Sequence, residues 1–311
     1  MGDIMAAYTV FINVLTMFLF MACGFCLVKA KKAEPSHGKS ISAFLLYICS
    51  PCMIINAFAE MEYSPESFLE IVKFFFTAIA VMLIFFIILY AVLHKKFENP
   101  KYRIFSIGSV LGNVGFFGLP LIKALFPGNA LAVCYCIAYV VAMNLVVFTV
   151  GVFMITQDKK FISLKTVFLN PTTAAVVIAL PIYFFGITLP SPIAGAVSLL
   201  GNVTTALCML VLGMRLASVS LKKVFSQPFA YLTAASKLIV FPIFAFLCVC
   251  FLPFFDEMFK TTLFVLSAAP SAAFILTLAE LHDKEQELAA NIVLVATLLS
   301  IITLPLLLLL I

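Results

Sequence analysis

The sequence predicts an all-α membrane protein of ten transmembrane helices, and three observations carry that reading. Apolar residues make up 64% of the 311 and charged residues 11%, whereas a soluble domain is about half apolar and about a quarter charged. Apolar runs of roughly 20 residues, the length of helix that crosses about 30 Å of hydrocarbon, recur from end to end. Basic residues gather in alternate loops, the pattern that marks the cytoplasmic side of a membrane.

The spans are expected at about 4–28, 38–59, 66–93, 103–124, 129–156, 166–187, 191–214, 226–252, 258–280 and 287–310. The first lacks a basic leading region and a small-residue cleavage site, so it reads as a retained span and not a signal peptide. The loops between spans are short and leave no room for a soluble domain. Of the 19 Lys and Arg, 15 lie in alternate loops: Lys29, Lys31, Lys32 and Lys39; Lys95, Lys96, Lys101 and Arg103; Lys159, Lys160 and Lys165; Arg215, Lys222 and Lys223; Lys284. The intervening loops are acidic or bare, as with Glu60, Glu62, Glu66 and Glu70, then Asp256 and Glu257. Positive loops stay inside, so both termini are expected outside the cytoplasmic membrane. The net charge of +5 reflects this sorting and points to no nucleic-acid partner. The nine cysteines all fall inside expected spans with no His or carboxylate nearby in sequence, and read as small apolar residues rather than metal ligands.

Five spans occupy 1–156 and five occupy 163–311, so a repeat relating the halves must be inverted in the membrane. At an offset of 157, "GNALAVCYCIAYVVAMNLVV" aligns by length with "EQELAANIVLVATLLSIITL", and Asn113 falls opposite Pro270. Around them lie the two stretches that weaken a helix from within: "GNVGFFGLP" at Gly112–Pro120 and "LSAAPSAAF" around Pro270. Asn113 lies about 15 Å along span four and Pro270 at a comparable depth along span nine. A broken helix bares amides and carbonyls, which lipid does not tolerate, so such backbone must be buried in protein or line a wet cavity. Interrupted helices at matching positions of two halves point to a transporter binding site, and two half-helix N-termini suit an anion.

Among polar residues at depth, Lys237 in "YLTAASKLIVFP" sits about 16 Å into span eight, where a cation is costly and marks function. A substrate carboxylate is its expected partner. Lys73 is shallower and reads as structural, paired with Glu70 one turn back. Ser50, before Pro51 in span two, and Thr204 and Thr205 in span seven are weaker pocket-wall candidates. Asn144 and Asn291 are buried amides whose expected job is helix packing. Phe116 and Phe117 beside the break are placed to flank an apolar ligand. His37, His94 and His282 sit in loops or at a helix end, and nothing assembles a nucleophile and base. An enzyme is therefore not expected, nor any cofactor.

The residues carry a family resemblance. "GNVGFFGLPLIKALF" followed by "SAAPSAAFILTLAEL" resembles the two crossover helices of the auxin efflux carrier family, which includes plant PIN carriers and bacterial malate or malonate permeases. "GFCLVKAKKAEPSHGKSISAFLLYICSPCMIINAF" is similar to the family's first two spans. "KLIVFP" matches its basic-x-x-x-x-Pro pattern, placing Lys237 and Pro242 on family positions, and "ATLLSIITLPLL" resembles its last span. The likeness covers essentially the whole chain, without the long central loop of the plant carriers.

That resemblance implies two inverted five-helix repeats with broken, crossing helices four and nine, similar to bile-acid sodium symporters. Spans one, two, six and seven would be a scaffold through which two copies dimerise. Spans three to five and eight to ten would be a transport unit moving an organic anion in elevator fashion. Asn113 falls on the family's substrate-contacting asparagine. The chain departs at Gly112 and Ser271, where the plant carriers have proline and glutamine, which counts against auxin as cargo. The expectation is a secondary carrier for a small carboxylate, with H+ or Na+ as a possible coupling ion. Gly112, Asn113 and Gly115 would bind it, Pro270 and Ser271 would supply the opposing half-helix, Lys237 would balance charge behind them, and Ser50 would stand on the pocket wall. The alternatives are a sodium-coupled symporter of the bile-acid type and a lipid- or sterol-sensing module that does not transport.

Overall fold

The computed structural model describes residues 2–158, 160, 164–218 and 227–310; Lys159, Lys222 and Lys223 of the basic set lie outside them. Seven helices among these residues are long and apolar enough to cross a membrane. They are α1 (Gly2–Lys29), α2 (His37–Ala59), α3 (Pro65–Leu93), α6 (Ala130–Thr156), α8 (Ser191–Ala217), α9 (Pro228–Val249) and α12 (Gln286–Leu308). The other three expected spans are shorter or interrupted. The stretch 103–124 divides into α4 (Pro100–Val110) and α5 (Val114–Leu125). The stretch 258–280 divides into α10 (Glu257–Ser267) and α11 (Phe274–Leu281). The stretch 166–187 is a six-residue helix, Leu164–Leu169, followed by α7 (Pro171–Phe184).

The helix starts follow from local chemistry. Ser64, Asn99 and Asn170 each precede a proline and accept a hydrogen bond from the amide of Ser67, Lys101 and Thr172 respectively. Proline at the first helical position loses nothing, because that amide has no partner in the helix anyway. Asp256 caps α10 through the Phe259 amide at 2.7 Å.

Prolines inside the bundle leave a different mark. Pro51, Pro120 and Pro242 each directly follow a wide π turn plus one helical residue: Leu45–Cys49, Val114–Gly118 and Ser236–Val240. A proline within a helix offers no N–H and its ring crowds the carbonyl four residues back. In all three cases that carbonyl, on Tyr47, Phe116 or Leu238, lies in the π turn, where the widened backbone makes room. Pro181 and Pro305 sit inside helices without such a turn.

Packing uses small residues where backbones meet, as expected where lipid removes the hydrophobic drive between helices. Helix α1 runs along α8, and α2 packs on α7 and α8. Helix α3 lies along α6, and α9 packs on α10 and α12. The broken pairs are held inside this frame: α4 against α9 and α12, and α5 against α1 and α6. A Cβ on Gly118 would come within 2.8 Å of Leu266 Cδ2, so this glycine sets the approach of α5 to α10. Lys73 pairs with Glu70 at 2.7 Å, as its spacing predicts. Thr204 bonds back to the Leu200 carbonyl of its own helix at 3.3 Å.

Candidate functional site

The two breaks meet. The chain is out of helix at 111–113 and again around 268–273, and the two segments pair antiparallel through a single bridge between Gly112 and Ser271. The Asn113 amide donates to the Pro270 carbonyl at 2.7 Å, and the Ala272 amide donates to the Leu111 carbonyl at 3.0 Å. This is the reciprocal pair that one rung of an antiparallel ladder provides. Backbone released from two helices is thereby satisfied by the opposite break.

The C-terminal ends of the leading halves are closed by side chains. Ser271 Oγ donates to the Gly108 carbonyl of α4 at 2.9 Å. Lys237 Nζ donates to the Ser267 carbonyl at the end of α10 at 2.6 Å and lies 4.6 Å from the centroid of the Phe241 ring. A cation at a helix C-terminus meets the negative end of the dipole. Lys237 is fully buried and makes none of the ion pairs among the described residues. Carbonyl and ring are its partners, as for other cations held inside membrane proteins. Ser267 Oγ also lies 3.4 Å from the Tyr139 hydroxyl of α6.

Gly112 packs between these parts. A Cβ there would stand 3.1 Å from Lys237 Nζ and 3.2 Å from both Lys237 Cε and the Ala269 carbonyl oxygen. The glycine lets the break pass directly over the lysine. Removing the Ser271 hydroxyl leaves the Gly108 carbonyl without this bond. Ser271→Ala is expected to destabilise the protein by about 1 kcal/mol, read as a lower Tm in detergent.

The trailing halves begin on a cavity of about 190 Å³. Their first amides have no partner within the helix. Asn113, Val114, Gly115 and Phe116, at the start of α5, line one side; Ala272, Ala273 and Phe274, at the start of α11, line another. The Asn113 carbonyl accepts from Phe117 and Gly118 at 2.9 and 3.2 Å, which closes the first wide turn; Val114, Gly115 and Phe116, whose amides precede these bonds, line the cavity. The Asn113 side chain lies near the Cys208 thiol of α8. Ser50 of α2 and Asn144 of α6 also stand on the wall, and apolar side chains such as Met53, Ile137 and Val140 fill most of the rest. No acidic or basic side chain lines the cavity among the described residues.

Gly112, Asn113, Gly115 and Ser50 thus share one cavity. Pro270 and Ser271 lie behind it in the bridge, and Lys237 lies behind Gly112. Asn291 is buried in α12 with its Nδ2 unpartnered, away from the cavity wall. Two wall residues, Asn170 and Thr172 at the start of α7, are absent from the set expected from sequence. The only sequence mark they carry is "NPT", a helix start, which gives no hint of what packs against it.

Long apolar helices around two paired breaks define a multi-pass membrane protein. The sequence profile of the membrane transport protein family matches residues 9–162 and 159–308. The chain belongs to that family, the auxin efflux carrier family, and is a transporter rather than an enzyme. It is also similar to an uncharacterized transporter of Methanocaldococcus jannaschii, with 28% identity over 282 residues, 88% of this chain and 89% of the relative.

Proposed function

We propose that this transporter is a secondary carrier that moves a small organic carboxylate across the cytoplasmic membrane. The observation that carries this reading is the convergence of two half-helix N-termini, those of α5 and α11, on one cavity beside Asn113. Both ends present unpaired amides and the positive end of a dipole. With no acidic side chain among the described residues of the wall to repel it, a carboxylate is the group that this wall satisfies. Held by amides and the Asn113 side chain rather than by a cation, it stays weakly enough bound to leave, which transport requires. The volume of about 190 Å³ is below the roughly 300–1,000 Å³ typical of drug-sized ligands, which favours an acid of a few carbons.

In this reading the chain crosses the membrane ten times, as two inverted five-helix repeats, 1–156 and 163–311. The α4/α5 and α10/α11 pairs are the crossing helices. Helices α3 to α6 and α9 to α12 form the unit that moves in elevator fashion, while α1, α2, α7 and α8 form a scaffold through which two copies associate. Lys237 fixes the negative end of α10 and balances charge behind the cargo. Both termini face outward, and the gradient of H+ or Na+ sets direction.

The test is counterflow in proteoliposomes with a panel of radiolabelled mono- and dicarboxylates, with and without a sodium or proton gradient. Exchange of at least one acid is expected; failure of every acid to exchange would favour a sensor and remove the carrier reading. Asn113→Ala should weaken binding of the exchanged acid about tenfold or more, the loss of a hydrogen bond to a charged group. Its elution in gel filtration should be unchanged. Wild-type affinity in that variant would take Asn113 out of the site.

A further inference from the structure

Four of the nineteen basic residues lie outside the alternate basic loops: Lys73, Lys123, Lys237 and Lys260. Three are accounted for. Lys73 pairs with Glu70 at 2.7 Å, Lys260 pairs with Glu257 at 3.1 Å, and Lys237 is closed on the Ser267 carbonyl. Lys123, in the last turn of α5, is exposed and makes none of the ion pairs among the described residues.

Lys123 lines a second cavity of about 390 Å³, together with Asn13 of α1 and Asn202 and Thr205 of α8. Among the described residues, no acidic side chain is on its wall. Asn13 Nδ2 donates to the Thr9 carbonyl and Asn202 Nδ2 to Ser198 Oγ, which leaves each amide a further N–H to give. The ammonium adds three more donors. Met53 and Leu119 line both this cavity and the one at the breaks. The two chambers therefore stand back to back on a partition that contains these two side chains, with the start of α5 in one and its last turn in the other.

The geometry points to the Lys123 chamber as a second, weaker anion station, which takes the carboxylate on the far side of the Met53–Leu119 partition. This inference rests on the carboxylate reading of the Asn113 cavity. A lone cation in an open, carboxylate-free chamber raises the local concentration of anions and speeds their arrival. Because it is exposed, its effect is screened by salt. The Asn113 cavity offers amides without a cation, so cargo transfers from a point charge that attracts it to a dipole site that holds it.

The test compares wild type, Lys123→Gln and Lys123→Arg by ¹⁴C-malonate counterflow, with malonate as probe. At low salt, Lys123→Gln should raise KM about fivefold with kcat held, Lys123→Arg should stay near wild type, and the difference should close at high salt. A wild-type KM in Lys123→Gln at low salt would overturn the station and leave the carrier reading intact. The same variants are made in an Asn202→Cys background and modified with anionic and cationic methanethiosulfonates of equal size. Lys123→Gln should lower the anionic-to-cationic rate ratio about fivefold; an unchanged ratio overturns the inference. If wild type exchanges no acid, the carboxylate reading fails by itself, and this ratio still decides whether the chamber selects anions.

Discussion

Gly112→Val is expected to abolish exchange and to lower the Tm by several degrees. A single Cβ at Gly112 already stands 3.1 Å from Lys237 Nζ and 3.2 Å from the Ala269 carbonyl oxygen, and valine adds two methyl groups beyond it. The added atoms must displace either Lys237 or the break itself. Moving Lys237 strips its bond to Ser267, a charge-assisted bond with a net value of about 1.5–3 kcal/mol and a larger cost if the buried ammonium finds no other partner. Moving the break opens the two amide–carbonyl bonds that join it to Pro270 and Ala272 and turns the start of α5 away from the cavity. Either route disables the site. Shortening the lysine relieves the first clash, so Lys237→Met should partly restore the Tm of Gly112→Ala. Residues in contact couple by about 0.5–3 kcal/mol in such cycles, and strict additivity of the two changes would refute the packing described.

Gly213→Val should prevent the protein from folding in useful yield. The Cβ of Gly213 would overlap the Met21 carbonyl and stand 2.9 Å from the Phe25 amide nitrogen; that of Gly24 would overlap the Leu210 carbonyl. Helices α1 and α8 thus touch main chain to main chain at two levels, the close approach that small residues permit between membrane helices. Overpacking of a side-chain core costs about 1–3 kcal/mol because neighbouring rotamers yield; here the obstacle is backbone and has no rotamer to change. A control lies in the same helix. Gly195 has nothing within 4 Å of its Cβ position, so Gly195→Val should express and melt as wild type. Equal yields of the two variants would contradict the α1–α8 contact.

Much of this was legible in the sequence because lipid narrows the choices. The seven long helices follow from apolar runs that have no other way to satisfy their backbone. Both breaks were marked by residues that weaken helices, and Asn113 opposite Pro270, inferred from an offset, corresponds to a 2.7 Å hydrogen bond. Other features were less legible. Stretch 166–187 is apolar enough for a span, but its helix is divided at Asn170-Pro171, where a cap and a proline start a new helix. Asn170 and Thr172 reach the cavity only through the packing of α7 on α2, which no local pattern encodes. Lys123 carries no local mark of its own in the sequence; the chamber around it comes from the packing of α1 and α8. The glycines of α1 and α8 carry the same lesson: Gly24 and Gly195 look alike in sequence, and only the neighbouring helix distinguishes them.

In the proposed function, main-chain ends bared at 111–113 and 268–273 hold a carboxylate between them. The most direct test is an experimental map of the protein saturated with an acid that it exchanges. The carboxyl group is expected against Asn113 and the amides of Val114, Gly115 and Phe116, with Ala273 and Phe274 opposite. Carboxylate density elsewhere with this cavity empty, or continuous helices across both breaks, would contradict it.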